Sequence, residues 1–198
     1  MNVLRNVRSY IPDGDIDTNP NWEEIKKIRY VEIKTNYAFI SVDSKESVTK
    51  YEHHKDLSRY DLVVISDYNK GFLDEEDIRR ITLSHPLVFL DTKKILGDWA
   101  DGAAFVKIND FEFQRSLPHM SDLLKSKTIH TMGGLGCEYQ SVRFPVQPVE
   151  VKDSSGAGDS FLAALVVKYA ETGDIEKSIE FANLLAAKVV SERGVTTI

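Results

Sequence analysis

Residues 151–170 read VKDSSGAGDSFLAALVVKYA, a polar, glycine-rich turn that runs directly into an apolar stretch. This change of pattern predicts that a helix begins inside the turn. The first N–H groups of a helix have no partner within the helix and carry positive partial charge. Because small residues let an anion approach those groups, Gly156, Ala157 and Gly158 predict a phosphate-binding turn. Asp159 follows in the first turn, where its carboxylate can accept a proton from an attacking hydroxyl group.

A plainer interpretation of this turn stays open on these residues alone. The two glycines can form an ordinary turn, and Asp159 can act only on the helix dipole, which an acid near the N-terminus stabilises. The sequence contains neither the G-x-x-x-x-G-K-[ST] phosphate loop nor the G-x-G-x-x-G dinucleotide pattern. These residues alone therefore do not distinguish a phosphate-binding site from an ordinary helix start.

Short apolar runs alternate with helical segments over most of the chain. Runs such as DLVVIS at 61–66 and LVFLD at 87–91 are typical of strands buried on both faces of a sheet. Strands alternating with helices predict an α/β fold with a mostly parallel sheet flanked by helices, in which ligands bind at the carboxyl ends of the strands. The further predicted strands are 103–109, 127–132, 136–144 and 149–151, and the predicted helices are 74–85, 110–117, about 158–171 and about 174–192.

Two segments nearer the N-terminus alternate apolar and polar residues in the manner of strands. They are IRYVEI at 28–33 and YAFISVD at 37–43, separated by Lys34-Thr35-Asn36. This pattern predicts a β-hairpin. The acidic, turn-rich residues 11–24 before it predict a loop.

Length and composition are those of one soluble domain over residues 1–198. The chain has 42% hydrophobic and 28% charged residues and a net charge of −6, which argues against nucleic acid as a partner because such surfaces are basic. No apolar run approaches the length of a membrane span, and the N-terminus lacks the apolar segment of a signal peptide. Since Cys137 is the single cysteine, we expect no internal disulfide, no membrane partner and a cytoplasmic location.

The segment DSSGAGD at 153–159 resembles the D-[TS]-x-G-A-G-D signature of the ribokinase/PfkB family of carbohydrate kinases. Other segments occur in the order that the family has them. SDYNKG and DTK look like the S-D-Y-x-K-G and D-x-K segments of its heptose-phosphate kinase branch, KINDFEF contains its N-x-x-E element, TMGGLG matches T-x-G-x-x-G, and FANLLAAKVVSERGVTTI matches its last helix. The resemblance implies a ribokinase-like fold in which the hairpin at 27–43 is a small lid.

The resemblance also implies roles for individual residues in the ATP-dependent phosphorylation of a sugar or sugar phosphate, such as a heptose 7-phosphate. Asp159 is the expected general base, and Gly156, Ala157 and Gly158 form the expected anion hole. Asn109 and Glu112 are expected to organise Mg²⁺ beside ATP, and the need for a monovalent cation is left open. The expected nucleotide-binding residues are Thr131, Gly133, Gly136, Asn183 and Lys93, and the expected substrate-binding residues are Asp67, Lys70 and Asn2.

Structural roles stay open for several of these residues. Asn109 and Glu112 also fit an ordinary helix start. Gly133 and Gly136 also fit a plain turn, and Asp67 a turn-forming aspartate. For Asn183 the alternative is a solvent-facing or helix-capping residue.

The chain departs from the family on the sugar-binding side. The family opens with a strand and a G-G-x-x-N segment. Met1-Asn2-Val3 of this chain resembles the end of that segment, whereas the two glycines and the strand before them have no counterpart. We therefore expect the first strand or strands to be missing. A nucleotide-binding module that has lost its sugar site, or that depends on a partner, is therefore the second functional hypothesis. The lid hairpin and the open sheet edge are the expected contact surfaces for a homodimer.

Overall fold

The computed structural model describes residues 2–22, 27–32, 38–43, 48–52 and 55–192. The helices are α1 (Asn2–Arg8), α2 (Glu75–Ser84), α3 (Asp110–Ser116), α4 (Asp122–Ser126), α5 (Ala157–Thr172) and α6 (Ile175–Val190). The strands are β1 (Lys27–Val31), β2 (Ala38–Asp43), β3 (Val63–Asp67), β4 (Val88–Thr92), β5 (Phe105–Asn109), β6 (Thr128–Thr131), β7 (Cys137–Tyr139) and β8 (Val142–Phe144).

The main sheet has six strands in the order β3-β4-β5-β6-β7-β8. The strands from β3 to β6 run parallel, whereas β7 and β8 are each antiparallel to the strand before them. Every residue of β4 is buried, because helices cover both faces of a parallel sheet. The structure therefore confirms the α/β fold with a mostly parallel sheet. Within the described part of the chain, β3 forms one edge of that sheet.

An apolar core lies on each face of the sheet. On one face, α2 and the helical turn 98–100 cover a cluster that includes Ile65, Leu90 and Ile108. On the other face, α5 and α6 cover a cluster that includes Phe89. Residues 160–167 of α5 are all buried, because the helix lies between the sheet, α6 and α1. This position holds the start of α5 firmly against the sheet.

The first helix also fixes the start of α5. Asn6 Nδ2 donates a hydrogen bond to Ser160 Oγ at 3.1 Å, between residues that are 154 positions apart. The exposed fraction is 2% for Asn6 and 1% for Ser160. A buried hydrogen bond of this kind is strong in the low-dielectric interior and fixes the relative position of the two helices. α1 therefore contacts α5 one residue beyond Asp159.

The predicted hairpin is confirmed by the pairing of β1 with β2. The two strands are antiparallel, from Lys27 opposite Asp43 to Val31 opposite Ala38. The predicted turn between them lies outside the described residues. Phe39 and Ile40 are 65% and 56% exposed. Because successive side chains of a strand point to opposite faces, both faces of the hairpin present apolar groups to solvent.

The structure differs from the predicted elements in four places. The segment 136–144, predicted as one strand, forms the two strands β7 and β8, because Gln140 and Ser141 between them have positive φ angles and form a turn. Residues 149–151 form no strand, and Pro145 and Pro148 in the segment before them lack the N–H that a sheet ladder needs. α1 and α4 form although no helix was predicted there. α4 has only five residues and is capped by Ser121, whose side chain accepts from the N–H of Leu124. Among the described residues, no helix is both long and apolar enough to cross a membrane.

Candidate active site

The carboxyl ends of the parallel strands gather several of the predicted site residues. Asp67 is the last residue of β3, Asn109 the last of β5 and Thr131 the last of β6. Asn109 and Thr131 are direct partners across the sheet, and Lys93 follows the last residue of β4. Adjacent parallel strands end at one edge of the sheet, so these residues lie along the same edge.

The helix α5 begins with a left-handed glycine. Gly156 is its N-cap with a φ of 83°, a conformation that glycine adopts readily and other residues rarely. Asp159 lies in the first turn and is partly buried. A Cβ atom added at Gly158 would lie 3.0 Å from Lys107 Nζ. The glycine at this position therefore leaves room for an ammonium group directly against the first turn of α5.

Tyr68 contacts the predicted general base. Its hydroxyl donates to Asp159 Oδ1 at 2.5 Å, and the two residues are 91 positions apart. Burial, the charge of Asp159 and the hydrogen bond to it raise the pKa of Tyr68 well above its ordinary value, so the phenol stays protonated and remains a donor. The sequence analysis did not select Tyr68, although it is the tyrosine of the SDYNKG segment.

A buried ion pair lies between the sheet and the start of α5. Lys107 Nζ lies 2.9 Å from Asp91 Oδ2, and these side chains are 5% and 10% exposed. The two residues are direct partners on β4 and β5, on the face that α5 covers. Burial raises the pKa of Asp91, and the nearby Lys107 and Lys93 partly oppose that shift. Sequence analysis missed both residues of this pair as part of the site.

Asn109 and Glu112, the predicted metal-binding residues, form a complete capping box at the start of α3. The Asn109 side chain accepts from the N–H of Glu112, and the Glu112 side chain accepts from the N–H of Asn109, each at 2.9 Å. The other Glu112 oxygen accepts from Lys93 Nζ. Asn109 and Glu112 therefore have the structural role of starting α3. Among the described residues, no three His, Cys, Asp or Glu side chains are grouped closely enough to hold a metal ion.

Asp67, a predicted substrate residue, organises the loop after β3. Its Oδ1 accepts from the N–H of Asn69 at 2.9 Å, and its Oδ2 accepts from Thr92 Oγ1 at 2.7 Å. Lys94 Nζ lies 3.4 Å from the same oxygen. Lys70 is exposed in this loop. Asn2 is the first residue of α1, and its side chain lies outside the described part of the structure.

The segment after β6 contains three predicted nucleotide residues. Thr131 Oγ1 donates to the carbonyl oxygen of Ile108 at 3.2 Å. Gly133 has a φ of 57° and open space where a side chain would be, whereas Gly136 has a φ of 84°. A Cβ atom at Gly136 would lie 2.1 Å from the carbonyl oxygen of Phe144. Gly136 is thus required by packing, whereas Gly133 leaves room for a ligand to approach.

Asn183, the predicted adenine-side residue, is buried inside the protein. Its Nδ2 donates to the carbonyl oxygen of Phe144 at 2.9 Å and lies 3.7 Å from Cys137 Sγ. The side chain thus ties α6 to β7 and β8, which differs from both the solvent-facing and the capping alternatives. Burial raises the pKa of Cys137 to about 12, so its thiol is unreactive at neutral pH.

We expect Gly136→Ala to destabilise the fold by about 2–3 kcal/mol, because the methyl group meets a backbone oxygen and the backbone is left-handed. The same clash disturbs the carbonyl of Phe144 that Asn183 binds. Urea denaturation of the two proteins measures the difference. Gly134→Ala is the matched control, since its Cβ meets no atom within 4 Å, and we expect a change within about 0.5 kcal/mol. Equal stability of the two variants would contradict the packing role of Gly136.

Most of the chain matches a known protein family. Residues 10–198 match the family described as pfkB family carbohydrate kinase. The chain belongs to this family. Two similar bacterial proteins are both named bifunctional protein HldE. The one from Campylobacter fetus is 34% identical over 173 residues, and the one from Nitratiruptor is 31% identical over 193 residues.

The match to these HldE proteins covers most of this chain but a smaller part of theirs. It covers 76% of this chain and 37% of the Campylobacter fetus protein, and 83% of this chain and 42% of the Nitratiruptor protein. The chain thus spans about two fifths of the length of these relatives. This family membership confirms the resemblance on which the site residues were chosen.

A solved structure confirms the ribokinase-like fold. Ribokinase from Thermotoga maritima superposes with a TM-score of 0.70 at 15% sequence identity. The superposition covers 98% of this chain and 80% of that chain. At this identity the likeness shows the fold alone.

Proposed function

We propose that this chain transfers the γ-phosphoryl group of ATP to a hydroxyl group of a sugar or sugar phosphate, with a heptose phosphate as the first acceptor to test. The observation that carries the proposal is the start of α5. A left-handed Gly156 is followed, three residues on, by a carboxylate that a tyrosine from the carboxyl end of β3 contacts. Family membership and the HldE relatives support a carbohydrate as the acceptor.

The chemistry assigned to α5 depends on position and charge. The amides of Gly156, Ala157 and Gly158 are assigned to stabilise the negative charge that develops on the migrating phosphoryl group. The Ala157 N–H donates to the carbonyl oxygen of Ser154 at 3.3 Å, so it would have to be shared with, or released to, that group. Asp159 accepts the proton of the attacking hydroxyl. The transition state of phosphoryl transfer is loose, so little deprotonation of the attacking hydroxyl is needed early in this step. The reaction uses ATP, which agrees with a cytoplasmic location.

The remaining residues are assigned to the nucleotide, the metal ion and the sugar. Both side-chain oxygens of Glu112 already accept hydrogen bonds from protein groups, which fits a residue that holds Mg²⁺ through water, as this ion usually keeps several waters. Bound Mg²⁺ would neutralise phosphate charge. We assign Thr131, Gly133 and Lys93 to the nucleotide side, Asn109 to the metal ion, and Asp67, Lys70 and Asn2 to the sugar side. Gly136 and Asn183, which were also expected on the nucleotide side, are assigned to the packing of β7, β8 and α6 behind it.

The hairpin β1–β2 is assigned to a lid over the sugar. Its exposed apolar residues on both faces suit contact with a bound sugar or with a second copy of the chain. Sedimentation of the purified protein tests for the dimer.

A phosphorylation assay tests the proposed function directly. The purified chain is incubated with radiolabelled ATP, Mg²⁺ and a panel of acceptors that includes heptose 7-phosphate, ribose and fructose 6-phosphate. We expect label transfer to at least one acceptor, with heptose 7-phosphate the strongest. ATP binding in calorimetry without transfer to any acceptor would overturn the kinase proposal and support the nucleotide-binding module instead. Repeating the assay with and without K⁺ tests the monovalent cation.

A further inference from the structure

The Tyr68 hydroxyl occupies one oxygen of the carboxylate that the proposed function uses as a base. A phenol at this position can act in one of two ways. It can hold the carboxylate in one orientation throughout the reaction, or it can occupy the position of the acceptor hydroxyl until the sugar binds. The two possibilities predict different changes in kcat and KM when the hydroxyl is removed.

We propose that Tyr68 is a positioning residue that holds the Asp159 carboxylate in the orientation needed for proton transfer and remains bonded to it while the sugar is bound. This inference rests on the proposed function and extends it to a residue outside the phosphate-binding turn. Tyr68 acts on the acceptor hydroxyl through Asp159.

The loop that carries Tyr68 is fixed on both sides of the tyrosine. Asp67 before it is bonded to the side chain of Thr92, and its carbonyl oxygen accepts from the N–H of Lys93 at 3.0 Å. Asn69 after it donates its N–H to Asp67 and accepts from Lys94 Nζ at 2.7 Å. Because both of its neighbours are held in this way, Tyr68 is better suited to stay bonded to Asp159 than to move away when the sugar binds.

The surrounding charges keep the phenol in its donating form. Asp159 contacts it directly, and the negative charges of Asp159 and Asp91 act together with burial to oppose loss of its proton. Lys93 acts on Asp91 and Asp159 from the end of β4. Over the pH range in which a kinase works, Tyr68 is therefore a permanent donor to an acceptor that only needs to be ionised.

Tyr68→Phe tests the inference, because it removes only the hydroxyl group that contacts Asp159 and keeps the ring. We expect kcat to fall about tenfold, since the lost hydrogen bond is to a charged group, while KM for the sugar changes less than twofold. We also expect the acid limb of the rate profile to move to higher pH, because the ionised form of Asp159 loses a donor.

Tyr60→Phe is the matched control. Tyr60 also donates its hydroxyl to a carboxylate, Asp15, at 2.6 Å, but it precedes β3 and lies away from the carboxyl ends of the strands. We expect the rate, KM and pH profile of this variant to match those of the native chain.

Two results would overturn the positioning role. If Tyr68→Phe lowers KM and leaves kcat unchanged or higher, the tyrosine fills the place of the acceptor hydroxyl. If all three quantities are unchanged, it does neither. In both cases the native chain still turns over and the proposed function stands. Absence of turnover by the native chain instead removes the proposed function, and the positioning role with it.

Discussion

We expect Asp159→Asn to lower the rate of phosphoryl transfer by about 10²–10⁴-fold, the usual contribution of a positioned general base. An amide cannot accept the proton of the sugar hydroxyl, whereas its oxygen can still accept the hydrogen bond from Tyr68. The side chain is in the first turn of α5, and the substitution keeps its size. ATP affinity and thermal stability should therefore stay close to those of the native chain.

The measurement combines a rate assay with calorimetry on the same preparation. Loss of turnover with ATP binding retained assigns Asp159 to the chemical step. Full activity of Asp159→Asn would refute its role as the base. Glu171→Gln is a suitable control, because it removes a carboxylate from the other end of the same helix, where Glu171 forms a surface ion pair with Lys168.

Lys107→Met is expected to destabilise the fold by about 3–5 kcal/mol, because removal of one partner leaves a buried charge uncompensated. Asp91 would then lie buried beneath α5 without the ammonium group that pairs with it. The double variant Asp91→Leu/Lys107→Met replaces the pair by apolar groups, and such replacements are often neutral or stabilising. We therefore expect the second substitution to restore most of the stability that the first removes.

The stability lost in Lys107→Met should depend on pH. Without Lys107, the folded protein holds a proton on Asp91 that the unfolded chain releases above about pH 4. The folded state then binds more protons than the unfolded state, so stability falls as pH rises from there towards the raised pKa of Asp91. Urea denaturation at pH 5 and pH 8 measures this. The same loss at both pH values, or a double variant as unstable as the single one, would contradict the account.

Much of the fold follows from local patterns in the sequence. The apolar runs that become β3, β4 and β5 are continuous because both sheet faces are covered. Asp74 and Asp174 begin α2 and α6 as N-caps, each with a side chain that accepts from a backbone N–H. These signals lie within a few residues of the element that they specify, so a single sequence is enough to read them.

The contacts that complete the site have no such local signal. Tyr68 meets Asp159 across 91 positions, and Lys107 meets Asp91 only because β4 and β5 are neighbours in register. A lysine in an apolar run gives no sign of its partner. The five-residue α4 depends on its cap and on tertiary packing, since so short a helix is unstable alone. The predicted strand at 149–151 does not form, because Pro145 and Pro148 before it lack the N–H that a sheet ladder needs.

The bond between Asn6 and Ser160 has a consequence for biosynthesis. Ribosomes add roughly 5–20 residues each second, so α1 emerges many seconds before the helix that it contacts. During that interval the sheet face that includes Phe89 and Ile129 is without its cover and is open to aggregation with other nascent chains. The exposed sheet face therefore needs protection during that interval, and the start of α5 is fixed in place only after Ser160 has been added to the chain.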